Sequence, residues 1–216
     1  MKQTIRKAFK FRLNQTPEQA QKMLEFAGCS RFVWNKALAK NLSLLEQKKP
    51  ILWYQEMNFW LGLWKKSDEY GFLKQAHSQS LQQTLKQLER AFKDGFDKDQ
   101  PNKRIPKFKR KGQKDSFTYP QGFKLEQSQN KVFLPKIGWV KYRNSRQVIG
   151  DLKNCTVSKR GAHWYVSIQV EYEASIQCHQ STSMVGIDMG VKRFATLSDD
   201  SFIEPLNSFR KWEKKL

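Results

Sequence analysis

Apolar and polar positions alternate from the start of the chain. In "TIRKAFKFRL" Ile5, Phe9, Phe11 and Leu13 take the odd positions while Arg6, Lys10 and Arg12 fall between them. A period of two predicts a half-buried strand with a basic outer face. The period then lengthens. "NQTPEQAQKMLEFA" offers Thr16 as N-cap, Pro17 at the first helical position and Gln19 three residues after the cap, a capping-box pattern. Ala20, Met23, Leu24 and Ala27 follow at helical spacing, and Gly28 is the expected stop. A second helix is predicted over 30–47, with Trp34, Leu38, Leu42 and Leu45 along one stripe and Pro50 beyond it. Residues 51–76 read as partly helical, with aromatic residues assigned mostly to the core. The strongest helical pattern is 77–96, where Leu81, Leu85, Leu88, Phe92 and Phe96 recur every three or four residues.

From 99 to 118 the pattern is lost in a polar, basic stretch punctuated by Pro101, Pro106 and Gly112. Alternation then returns. A polar turn near 127–130 divides "GFKLEQSQNKVFLPKIGWVKYR", and "NCTVSKRGAHWYVSIQVEYE" reads as a hairpin turning at 158–162. In its second arm Trp164, Val166, Ile168, Val170 and Tyr172 form one apolar face. After the polar linker "ASIQCHQSTS", the stretch "GIDMGVKRFATLSDD" (186–200) predicts a buried strand ending at Asp188, a tight turn at Gly190 and a second strand. "FIEP" completes a three-strand meander. The order is strand, helices, strands, so the fold class is α+β with a helical insertion between the first strand and its sheet partners.

Charge sharpens this picture. Lys and Arg number 40 against 20 Asp and Glu, a formal charge of +20, which calls for a polyanionic partner. Nucleic acid fits better than a membrane surface, because the cations sit among strands and loops and not along one amphipathic helix. Lys103, Arg104, Lys107, Lys109, Arg110, Lys111 and Lys114 fall within twelve residues that contain no acid. They are the candidate phosphate contacts, and the interleaved Phe108 either stacks on a base or, with Ile105, pins the loop to the core. A helix-turn-helix over 17–47 is a weaker DNA-binding candidate, since residues 33–46 carry only Lys36 and Lys40. Cys29, Cys155 and Cys178 form no C-x-x-C pair, and His77, His163 and His179 show no ligand spacing. No zinc site is expected from them. No signal-peptide pattern or membrane-length apolar run occurs, so a cytoplasmic location and no membrane partner are expected.

Six segments, "RFVWN", "LQQTLKQLERAF", "IPKFKRKGQKDSFTYPQG", "VFLPKIGWVKYR", "HWYVSIQVE" and "GIDMGVKRFATLSD", occur in the order and spacing of the TnpB family. The sequence thus resembles these transposon-encoded RNA-guided DNA endonucleases across essentially its whole length. The resemblance implies a wedge-type β-barrel from residues 1–16 and 99–182, a helical recognition lobe from 17–98, and the first strands of a RuvC/RNase H-like domain from 183–216. It implies a guide RNA and a double-stranded DNA target as partners. It also implies that Asp188 is the first catalytic carboxylate and a ligand of Mg²⁺. The family's second Asp, its catalytic Glu and its Cys-rich zinc ribbon have no counterpart here. The last residues, "SFRKWEKKL", read as part of a helix. The expectation is therefore an N-terminal portion that binds nucleic acid but holds no Mg²⁺ tightly and does not cut DNA alone. The alternative is a stand-alone RNA- or DNA-binding regulator without nuclease activity.

Overall fold

The computed structural model describes residues 2–175, 181, 183–207 and 212–213. They fall into two units, 2–174 and 175 onward. Cys178, His179 and most of the final "SFRKWEKKL" lie outside the described residues.

The first unit begins with β1 (Lys2–Asn14), which buries Phe9, Phe11 and Leu13 and exposes Arg6 and Lys10. Its alternation is the one the sequence predicts. Helix α1 (Pro17–Glu46) starts with the expected capping box: Gln19 N–H donates to Thr16 Oγ1 at 3.3 Å, and Thr16 N–H donates to Gln19 Oε1 at 3.1 Å. Gly28 does not end it. The helix runs unbroken for 30 residues, because Met23, Phe26, Ala27, Ser30, Val33, Trp34, Ala37 and Leu38 carry one buried stripe through the glycine. Burial of that stripe outweighs the roughly 1 kcal/mol that a mid-helix glycine costs.

Helix α2 (Tyr54–Lys66), a 3-10 turn at Gly71–Lys74 and helix α3 (Ser78–Phe96) follow. Helix α3 buries Leu81, Leu85, Leu88 and Phe92, whereas Phe96 at its end is exposed. Among the aromatics of 53–70, Trp64 is buried and Tyr54, Trp60 and Tyr70 pack partly against the core, but Trp53 and Phe59 are exposed.

The remaining strands are β2 (Ser116–Tyr119), β3 (Lys124–Glu126), β4 (Lys131–Leu134), β5 (Gly138–Tyr142), β6 (Asp151–Arg160) and β7 (His163–Ser175). With β1 they form a seven-stranded sheet in the order β2-β6-β7-β1-β5-β4-β3. The pairs β1–β5, β4–β5, β3–β4, β2–β6 and β6–β7 are antiparallel, with Leu13 opposite Tyr142, Val132 opposite Val140 and Val157 opposite Val166. The sheet is open, so the expected closed barrel is not what forms. Its two edges, β2 and β3, are only four and three residues long and do not pair with each other. Helices α1 and α3 pack on β2 instead, with the Phe26 and Phe117 rings 5.6 Å apart. Helices and sheet share one core, in which Trp164, Val166, Ile168 and Val170 of β7 are all buried. Cys29 and Cys155 are buried there as free thiols.

The second unit contains the predicted meander: β8 (Ile187–Asp188), β9 (Ala195–Leu197) and β10 (Phe202–Ile203), antiparallel in the order β10-β9-β8. Strand β8 was expected to be buried, yet Ile187 and Asp188 are both exposed. The strands are two or three residues long, too little surface to build a core by themselves. Among the described residues no helix is long and apolar enough to cross a membrane.

Candidate nucleic-acid interface

Between α3 and β2 the chain has no regular structure, and this is where the cationic segment lies. Lys103, Arg104, Lys107, Arg110, Lys111 and Lys114 are exposed, as is Phe108, while Lys109 is half-buried. Neither Phe108 nor Ile105 pins the segment, since they are 53% and 43% exposed. Helix α1 holds it. The indole Nε1–H of Trp34 donates to the Lys107 carbonyl at 3.1 Å. The Asn35 side chain bonds Lys109 twice, donating to its carbonyl at 3.0 Å and accepting from its N–H at 2.8 Å. The Lys109 ammonium lies 3.8 Å from the centre of the Trp34 ring. Burial pushes this ammonium down to about 8, whereas the ring face favours its charged form and opposes that shift.

At the C-terminal end of the segment Asp115 is the organising residue. Its carboxylate accepts from Arg31 of α1 at 2.7 Å and from the Gly112 N–H at 3.1 Å. Gly112 has φ +80°, a left-handed conformation that glycine adopts without strain. At the other end the main chain crosses the last turn of α3 so closely that a Cβ on Gly95 would sit 2.9 Å from the Arg104 carbonyl oxygen. Lys103 approaches Asp94 at 4.0 Å. Among the described residues no carboxylate pairs with Arg104, Lys107, Arg110, Lys111 or Lys114. Sequence reasoning missed Arg31, Trp34, Asn35, Gly95 and Asp115. Spacing places Trp34 on an apolar stripe, and although Arg31, Asn35 and Asp115 lie in segments that carry the family resemblance, no pattern assigns them or Gly95 to this site.

Asp188 belongs to the second unit. It is paired opposite Thr196 in the meander, and just before β8 the Gly186 N–H donates to Ser198 Oγ at 2.8 Å. Asp199 accepts from both the hydroxyl and the N–H of Ser201, which holds its carboxyl below the usual range. Among the described residues no three His, Cys, Asp or Glu side chains come together in a way that could hold a metal ion. Asp188 with its neighbours therefore does not fit a two-metal centre.

Residues 1–50 match the OrfB IS605-type family model described as "Helix-turn-helix domain". Over 209 residues the chain is 50% identical to the protein named "Putative RNA-guided DNA endonuclease InsQ" of Escherichia coli strain K12, covering 97% of this chain and 51% of that relative. Nearly the whole chain is thus homologous to part of this protein, in line with the resemblance to the TnpB family. A second relative, "Putative RNA-guided DNA endonuclease" of Streptomyces pristinaespiralis, is 30% identical over 202 residues, covering 92% of this chain and 49% of its own length. The chain thus spans about half the length of the curated relatives it matches. Within the segment matched as helix-turn-helix, the fold is β1 followed by the single unbroken helix α1. No turn divides 17–46 into a positioning helix and a reading helix.

Proposed function

We propose that this chain is the nucleic-acid-binding part of a TnpB-type RNA-guided DNA endonuclease, binding guide RNA and double-stranded target DNA through a surface centred on 103–114. The observation that carries the reading is that Arg104, Lys107, Arg110, Lys111 and Lys114 have no carboxylate partner among the described residues, on a segment whose backbone is fixed, in a chain of formal charge +20. Phosphates supply the missing counter-charge. The names of the two relatives support RNA and DNA as the polyanions. The finer parts of the reading are a wedge-like role for the sheet, a recognition-lobe role for the helices and a RuvC-like role for the meander. Asp188 is proposed as one carboxylate of the family's nuclease centre. The residues around it do not fit Mg²⁺ by themselves, so no cleavage step is assigned to this chain.

Two linked measurements test the proposal. Binding of the 216-residue chain to a structured RNA should weaken steeply with salt, the log–log slope falling by roughly 0.7–0.9 for each phosphate neutralised. The same chain, given guide RNA, matched DNA and Mg²⁺, should leave the DNA intact. Affinity that stays flat from low to moderate salt would remove the electrostatic surface. Robust cutting would show a complete catalytic centre.

A further inference from the structure

The contacts that hold the cationic segment have one property in common. They fall on its main chain, and apart from Lys103 near Asp94 and Lys109 over Trp34 they leave its charged side chains unengaged. Trp34 and Asn35 bond the carbonyls of Lys107 and Lys109 and the Lys109 N–H. The missing side chain of Gly95 admits the Arg104 carbonyl, and Lys103 N–H donates to the Gln100 carbonyl at 2.9 Å. The one cation drawn inward is Lys109, over the Trp34 ring. A mobile basic loop would have to be ordered on each binding event, and that loss of chain entropy would weaken the complex. Here the ordering is done in advance by two helices.

We infer that Trp34, Asn35 and Gly95 are positioning residues, and that their clamp on residues 104–109 presents Arg104, Lys107, Arg110 and Lys111 to phosphate as a pre-ordered row. Lys109 is on this account an anchor that completes the clamp. The inference rests on the reading of 103–114 as the nucleic-acid surface, and it adds the residues that make that surface effective. Asn35 is the central member because its amide satisfies both the donor and the acceptor of one backbone unit, which no apolar replacement can do. Gly95 acts by size, since any Cβ would displace the Arg104 carbonyl.

The test uses the full chain and a fluorescein-labelled RNA hairpin. Asn35→Ala and, from the opposite side, Gly95→Ala should each raise amide hydrogen exchange over 104–111 while leaving exchange in the sheet unchanged. Each should weaken RNA binding by about tenfold, of the order expected for ordering one or two further residues on binding. The log–log salt slope should stay at the wild-type value, because no phosphate contact is removed. Trp34→Phe, which keeps a ring beneath Lys109 but loses the indole donor, should fall between wild type and Asn35→Ala. If exchange rises but affinity holds, the clamp exists without serving binding and the inference is overturned. It is equally overturned if exchange over 104–111 does not rise in either alanine variant. Replacing Lys107, Arg110 and Lys111 by Glu separates this from the parent reading. An unchanged affinity there removes the segment from the interface. A large loss there with inert clamp variants removes only the positioning role.

Discussion

Lys109 shows how far the role of one residue depends on what lies beneath it. By sequence it is one of seven equivalent cations. In the fold it is half-buried against Trp34, with a pKa pushed down to about 8 by desolvation. A lysine whose pKa is lower in the folded than in the unfolded chain binds its proton more weakly when folded. Stability therefore rises as pH climbs from about 8 toward the ordinary lysine value, and the penalty is fully present below the folded pKa. Lys109→Met, which keeps the apolar stem and discards the charge, should flatten that rise. Chemical unfolding of wild type and variant between neutral pH and the ordinary lysine value of about 10.4 measures it. Parallel curves over that range would show that Lys109 does not titrate at the depressed value. The cationic row around it was legible in the sequence, since seven Lys and Arg in twelve residues need no fold to be seen. The clamp was not. Its partners are 73 and 74 residues apart in the chain and act on backbone atoms, which carry no residue-type signal.

At the scale of elements, period-two alternation located β1 and the β6–β7 hairpin, and the capping box located the start of α1. Both rest on local chemistry that the sequence displays directly. The end of the first helix was misread because Gly28 was weighed as a local breaker, whereas the buried stripe from Met23 to Leu38 decides the matter. That difference can be measured. A Cβ at Gly28 would meet nothing nearer than an Arg31 guanidinium nitrogen at 3.9 Å, so Gly28→Ala should stabilise the protein by about 0.5–1 kcal/mol. Urea denaturation monitored by helical circular dichroism reads the shift directly. Destabilisation would mean that α1 needs a bend at Gly28. The barrel expected from family resemblance was not legible in the same way, because closure depends on pairing between two short edge strands. In this fold the edge at β2 is covered by α1 and α3.

At the scale of the whole molecule, the chain carries its basic segment in the first unit and Asp188 in the exposed meander of the second. The chain matches about half the length of each relative. The central claim is that 103–114 neutralises phosphates. The most direct measurement is the salt dependence of RNA affinity for wild type beside a variant in which Lys107, Arg110 and Lys111 are all replaced by Gln. If each contacts one phosphate, the log–log slope should become shallower by roughly 2 to 3, while the melting temperature barely moves. An unchanged slope in a folded variant would contradict the account and place the nucleic acid elsewhere on the molecule.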